Sequence, residues 1–125
     1  MNGNQVTDVL ARAFAAEGVD TLFTLLGDAN MHWSASMADN QKVRLIHARH
    51  EHCCVAMADA WARATGKVGV ASVTCGPGYT QIMTALAMAA RGNAPVVVSS
   101  ARWSCTQHAL VGARRRAVEE GRLRR

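Results

Sequence analysis

Apolar positions recur along this chain with two different spacings, and the spacing changes at glycines. Val6, Leu10, Ala13 and Phe14 fall three and four residues apart, which predicts a first helix with these as its buried face and Gly18 as its stop. Residues 21–26, Thr-Leu-Phe-Thr-Leu-Leu, form an apolar run of strand length that ends at Gly27. A weaker helical pattern covers about residues 31–38, and residues 43–46 read as a second strand. A helix is predicted from about His50 to Thr65, stopped by Gly66, and followed by a third strand over residues 68–73. Cys75-Gly76-Pro77-Gly78 makes a tight turn, with Pro77 near a helix start where its missing N–H costs nothing. A helix of small residues then runs to Arg91, stopped by Gly92, before a fourth strand over residues 95–99. Strands rich in Val and Leu, separated by helices, predict an α/β fold: a parallel sheet with helices on both faces.

A chain of 125 residues is the length of one domain, and half of its residues are apolar, so a core can form. The net charge of +5 first suggests nucleic acid, but its location argues otherwise. Residues 112–125 hold six Arg and two Glu, which leaves only +1 for the rest of the chain. None of the six aromatic residues lies in that basic segment, so a surface for stacking bases is poorly supported. The start of the chain lacks a basic region followed by an apolar one, and no apolar stretch approaches the ~20 residues that span a bilayer. The expected setting is cytoplasmic, with reduced cysteines and no nucleic-acid or membrane partner. The domain is expected over residues 1–100, with 101–125 a basic tail, helical or disordered.

Residues 46–54, Ile-His-Ala-Arg-His-Glu-His-Cys-Cys, concentrate the candidate chemistry. On one continuous helix His47, Glu51 and Cys54 would share a face, as metal ligands can. A structural zinc site, however, takes four ligands from separated segments, and Cys75 and Cys105 show no Cys-x-x-Cys pairing. No metal ligand is therefore assigned, and Cys53 and Cys54 read as small buried hydrophobes. A Gly-x-Ser-x-Gly nucleophile elbow is absent. Gly76-Pro77-Gly78 lacks the third glycine of a dinucleotide fingerprint, and Lys67 is not followed by the hydroxyl residue of a phosphate loop. Glu51 survives this sorting. It begins a helix just after a buried strand, at the sheet edge where open α/β folds bind ligands. A desolvated carboxyl there could share a proton with a ligand nitrogen, whereas the simpler reading is a solvated charge favoured by the helix dipole.

The run His50-Glu51-His52, the stretch from Ala56 through Ala62-Arg63-Ala64-Thr65-Gly66 to Val70, and Val73-Thr74-Cys75-Gly76-Pro77-Gly78 together resemble a known domain. It is the pyrimidine-binding, N-terminal domain of thiamine diphosphate-dependent enzymes, closest to the acetolactate synthase and 2-oxo acid decarboxylase-like group. Gly18 to Phe23 and Ala94 to Val98 fit in order and spacing, so the resemblance covers roughly residues 5–100. It implies that Glu51 hydrogen-bonds N1′ of the cofactor's aminopyrimidine and thereby promotes loss of the thiazolium C2 proton. Thr74, Gly76, Pro77, Gly78 and Gln81 are the further cofactor-binding residues that it implies, Gly76-Pro77-Gly78 packing beside the pyrimidine and Gln81 making a weaker polar contact. Substrates would be small 2-oxo acids, in carboligation or decarboxylation, making the whole enzyme a transferase or lyase.

Gly27-Asp28-Ala29 is not the Gly-Asp-Gly metal and diphosphate motif of that family, since Ala29 replaces the last glycine and no Asn lies between Asn40 and Asn93. The last strand and helix of the pyrimidine domain are also expected to be missing. The resemblance therefore implies that Mg²⁺ and the diphosphate are held by another domain or chain, in a homo-oligomer such as a dimer or in a complementing subunit. By itself the chain would be inactive. The alternative is a noncatalytic fragment or interaction module that keeps the fold without turnover.

Overall fold

The computed structural model describes residues 5–100, and the basic segment 101–125 with its Cys105 lies outside them. In chain order the elements are α1 (Val6–Ala16), β1 (Thr21–Thr24), α2 (Met31–Gln41), β2 (Arg44–His47), α3 (Glu51–Thr65), β3 (Gly69–Val73), α4 (Pro77–Gln81), α5 (Met83–Arg91) and β4 (Val96–Ser100). The four strands form one sheet in the order β2-β1-β3-β4, with every pair parallel. The α/β class expected from the hydrophobic pattern is what forms.

Alternation along the strands feeds two cores. Leu22 and Val70 pack with Ala11, Trp33, Met37 and Val43, which places α1 and α2 on one face of the sheet. Phe23, Ala71 and Val73 pack with Cys54, Val55, Ala58, Ile82 and Ala85, which places α3 and α5 on the other. Helix α3 ends as its sequence predicts, with Gly66 in the left-handed region at φ +71° and its N–H on the Ala62 carbonyl. The helix predicted to run from the Pro77 turn to Arg91 is instead two, which meet at the fully buried Ile82.

Helix α1 differs most from its predicted packing. Val6 and Leu10 are exposed and Phe14 is only half-buried, while the docked positions are Asp8 and Ala11. The reason is a polar seam: the Asp8 carboxylate accepts hydrogen bonds from Ser36 Oγ at 2.6 Å and Asn40 Nδ2 at 3.2 Å, both on α2. A carboxylate bonded in this way can be buried at little cost, and Phe14 packs against Trp33 with its ring tilted by 47° at 5.4 Å between ring centres.

Ser34, on α2, is fully buried, and its hydroxyl has no hydrogen-bond partner among the described residues. Ser34→Ala removes that desolvated oxygen and improves helix propensity, so it is expected to stabilise the chain by about 1 kcal/mol. Thermal unfolding followed by circular dichroism should show the midpoint rising by roughly 4 °C or more. A lower midpoint would mean that the hydroxyl is bonded.

Candidate functional site

Strand order determines where this fold opens. After β1 the chain adds β2 on one side, then crosses to add β3 on the other, so the connections leaving β1 and β3 depart to opposite faces of the sheet. Their divergence leaves a crevice at the carboxyl ends of β1 and β3, the usual ligand position in an open parallel sheet. Residues 25–30 after β1 and 74–78 after β3 border it and touch each other at Gly27 and Thr74.

Glu51 enters this crevice from the third connection. It is the first residue of α3, half-buried, and follows β2 after only three residues. His50 is the N-cap, its Nδ1 accepting the His52 N–H at 3.2 Å, which fixes the direction in which α3 departs. The carboxyl is aimed at the glycine–proline turn: a Cβ built on the buried Gly78 would lie 3.1 Å from Glu51 Oε1 and 2.8 Å from Thr74 Cγ2. Any larger residue at 78 would fill the space in front of the acid. No side chain among the described residues pairs with the Glu51 carboxyl. A half-buried, unpaired carboxyl facing a side-chain-free wall fits a flat heterocycle with a hydrogen-bonding nitrogen.

The turn is built by residue-specific constraints. Gly76 sits at φ +63° and ψ −122°, a conformation open to glycine, and its carbonyl accepts the N–H groups of Tyr79 and Thr80. Pro77 occupies the first turn of α4 and is exposed. Gln81, the last residue of α4, is also exposed. Thr74 is half-buried between two glycines, since a Cβ on Gly27 would come within 2.7 Å of Thr74 Cβ and Oγ1. Thus Glu51, Thr74 and Gly78 are brought together, Gly76 and Pro77 shape the wall, and Gln81 lies on an exposed helix end.

The neighbouring histidines and cysteines do not form the ligand ladder that one helix would have given. His47 is the exposed last residue of β2, not part of α3. Among the described residues no three His, Cys, Asp or Glu side chains converge on a possible metal position. Cys54 is the small buried residue predicted, but Cys53 is exposed. Burial first, then the negative charges of Glu51 and Cys53, push the Cys54 thiol up to about 11, so it stays protonated and unreactive at neutral pH. No helix among the described residues is long and apolar enough to cross a membrane.

The resemblance implies that residues 26–30 line the site, which includes Gly27 and Asn30 without giving either a role, whereas the buried Ser72 beneath them was missed. Asn30 directly precedes a helix, a position where Asn is favoured, and that signal could have drawn notice to it. Its buried partners come from separate elements and left no local trace.

Comparison with known proteins converges on one group. Residues 4–115 match the family described as thiamine pyrophosphate enzyme, N-terminal TPP binding domain. The acetolactate synthase large subunit IlvG of Mycobacterium tuberculosis is 37% identical over 94 residues, which cover 75% of this chain and 17% of that protein. The 2-hydroxyacyl-CoA lyase 2 of Xenopus laevis is 43% identical over 98 residues, covering 77% of this chain and 14% of that one. Among solved structures, the thiamine diphosphate-dependent 4-hydroxybenzoylformate decarboxylase of Rhodococcus jostii RHA1 superimposes with a TM-score of 0.73 at 24% identity, over 82% of this chain and 19% of that one. At that identity the match speaks for the fold alone. The chain therefore spans less than a fifth of each of these proteins.

Proposed function

Because this chain belongs to the family of thiamine pyrophosphate enzyme N-terminal TPP binding domains, we propose that it contributes the aminopyrimidine half of a composite thiamine diphosphate site, with Glu51 as the group that holds a proton against a ring nitrogen. The observation that carries this reading is the approach of Glu51 Oε1 to the bare backbone of Gly78. Gly76 and Gly78 carry no side chains, so on either side of Pro77 the turn presents bare backbone, against which a planar ring can lie. Thr74 closes the floor between that turn and Gly27. The carboxyl is half-buried, and it takes part in neither of the ion pairs of the described residues, Arg63–Asp59 and Lys67–Asp20. Thiamine diphosphate, when bound, supplies a nucleophilic carbon suited to 2-oxo acids, for carboligation or for decarboxylation.

In this proposal the diphosphate and Mg²⁺ are held outside the described residues, by another domain or by a partner chain. The competing reading, a noncatalytic module that keeps the fold, draws on the small share of the relatives' length that this chain spans. Titration of the ¹⁵N-labelled 125-residue chain with thiamine diphosphate and Mg²⁺ separates the two. The cofactor reading expects the amide signals of Glu51, Thr74, Gly76 and Gly78 to move together while those of α1 stay in place. If none of these signals moves at millimolar cofactor, the noncatalytic reading stands instead.

A further inference from the structure

Asn30 is 1% exposed, and both ends of its amide are engaged. Its Oδ1 accepts the Gly27 N–H at 2.8 Å. Its Nδ2 donates to the Leu25 carbonyl at 3.2 Å and to Ser72 Oγ at 3.0 Å, with Thr24 Oγ1 farther away at 3.4 Å. Gly27 is held from its other side as well, its carbonyl accepting the N–H groups of Asn30 and Met31 at 3.1 and 3.0 Å. One buried side chain thus closes the connection after β1 on itself and ties it to Ser72 on β3. Ser72 lies two residues before Thr74, and Thr24 and Ser72 are direct partners in the sheet.

The contacts continue without slack from that tie to the carboxyl. Gly27 is pressed so closely on Thr74 that a Cβ would overlap its side chain, Thr74 Cγ2 in turn crowds Gly78, and Gly78 faces Glu51 Oε1. If the connection after β1 lifts, Thr74 gains room to rotate away from Gly78, and the wall opposite the acid loosens. Packed contacts of this kind respond as discrete rearrangements, not by gradual yielding. We propose that Asn30 is a positioning residue: through Gly27 and Thr74 it sets the width of the crevice between the Gly76-Pro77-Gly78 turn and Glu51. The functional weight of that width rests on the cofactor role of Glu51 proposed above, but the coupling itself is a property of this chain and can be measured without any ligand.

Two variants of the full 125-residue chain test it by NMR at neutral pH. Asn30→Ala frees the Gly27 N–H, whose exchange with solvent is expected to quicken at least ten-fold. Ser72→Ala leaves Gly27 bonded to Asn30 and removes only the side-chain part of the tie to β3, since the Leu25 N–H still donates to the Ser72 carbonyl at 3.3 Å, so it is the gentler probe and the deciding one if Asn30→Ala does not fold. The diagnostic signal is the side-chain carboxyl ¹³C of Glu51, which a purely local loop function of Asn30 would not reach. In both variants it should move by more than its linewidth, together with the amides of Thr74 and Gly78, while Leu22 and Val43 in the opposite core stay unchanged. An unmoved Glu51 carboxyl in folded Ser72→Ala overturns the proposal. Failure of the cofactor role would show elsewhere, as absence of any response of the wild-type chain to thiamine diphosphate.

Discussion

Replacing Glu51 with glutamine is expected to slow exchange of the C2 proton of bound thiamine diphosphate by about 10²- to 10⁴-fold, the range that a positioned proton-transfer group contributes. The measurement needs the chain complemented by a diphosphate-binding portion, because the diphosphate and Mg²⁺ are proposed to be held outside the described residues. Glutamine matches glutamate in size and hydrogen-bonding reach, so the crevice facing Gly78 should stay intact and cofactor affinity should change only a few-fold. What glutamine lacks is an ionisable carboxyl that can accept a proton and return it to a ring nitrogen. The loss should therefore fall on the rate of deuterium exchange, read by quenched-flow NMR, and not on the amount of cofactor bound. Glu51→Asp gives the complementary result: the acid is kept but withdrawn from Gly78 by one methylene, and an intermediate rate is expected. An exchange rate in Glu51→Gln equal to that of the unmodified protein would remove Glu51 from the chemistry.

The parts of this site that could be read from sequence are those made by neighbours along the chain. Gly66 as a helix stop, Gly76 in a tight turn and Pro77 near a helix start each follow from one residue's backbone preferences, and all three stand where expected. Strands β2, β3 and β4 begin one residue later than the apolar runs suggest, since Val43, Val68 and Pro95 complete those runs without joining the ladder. What escaped is what depends on pairs distant in sequence. Asp8 looks like a solvent-facing charge in an amphipathic helix until Ser36 and Asn40 are brought to it. Asn30 and Ser72 are separated by 42 residues, and neither belongs to a recognisable motif. The break between α4 and α5 at Ile82 has no glycine or proline to announce it; that side chain is buried in the same core cluster as Ala85 and Val73. Polar residues are the least legible class, because a buried hydrogen-bonded Asn and an exposed one look the same in a hydrophobic pattern.

Stability should respond most strongly at Gly69, the first residue of β3, where α3 crosses the sheet. A Cβ there would overlap the Ala58 carbonyl oxygen, and it would lie 2.7 Å from the Ala58 carbonyl carbon and 3.1 Å from its Cα. These are backbone atoms in the middle of a helix, so no rotamer change relieves the clash. Helix α3 can move away only by lifting Cys54, Val55 and Ala62, all buried, off their packing. Overpacking of a well-filled core costs about 1–3 kcal/mol and occasionally more, and Gly69→Ala is expected near the upper end, about 3 kcal/mol. For a chain of this size that lowers the thermal midpoint by roughly 10 °C or more, measurable by circular dichroism or calorimetry. Gly92→Ala supplies the control. A Cβ at Gly92 would also overlap a neighbour, but there the neighbour is the guanidinium of Arg63, the far end of a flexible and exposed side chain. Arg63 can swing aside, and Gly92 has an ordinary φ of −82°, so that substitution should stay within about 0.5 kcal/mol of the parent. Equal losses at the two positions would show that close approach of the α3 backbone to β3 is not what demands glycine at 69. A large loss at Gly69 alone would show that close packing at this position seats the helix that carries Glu51 against the sheet.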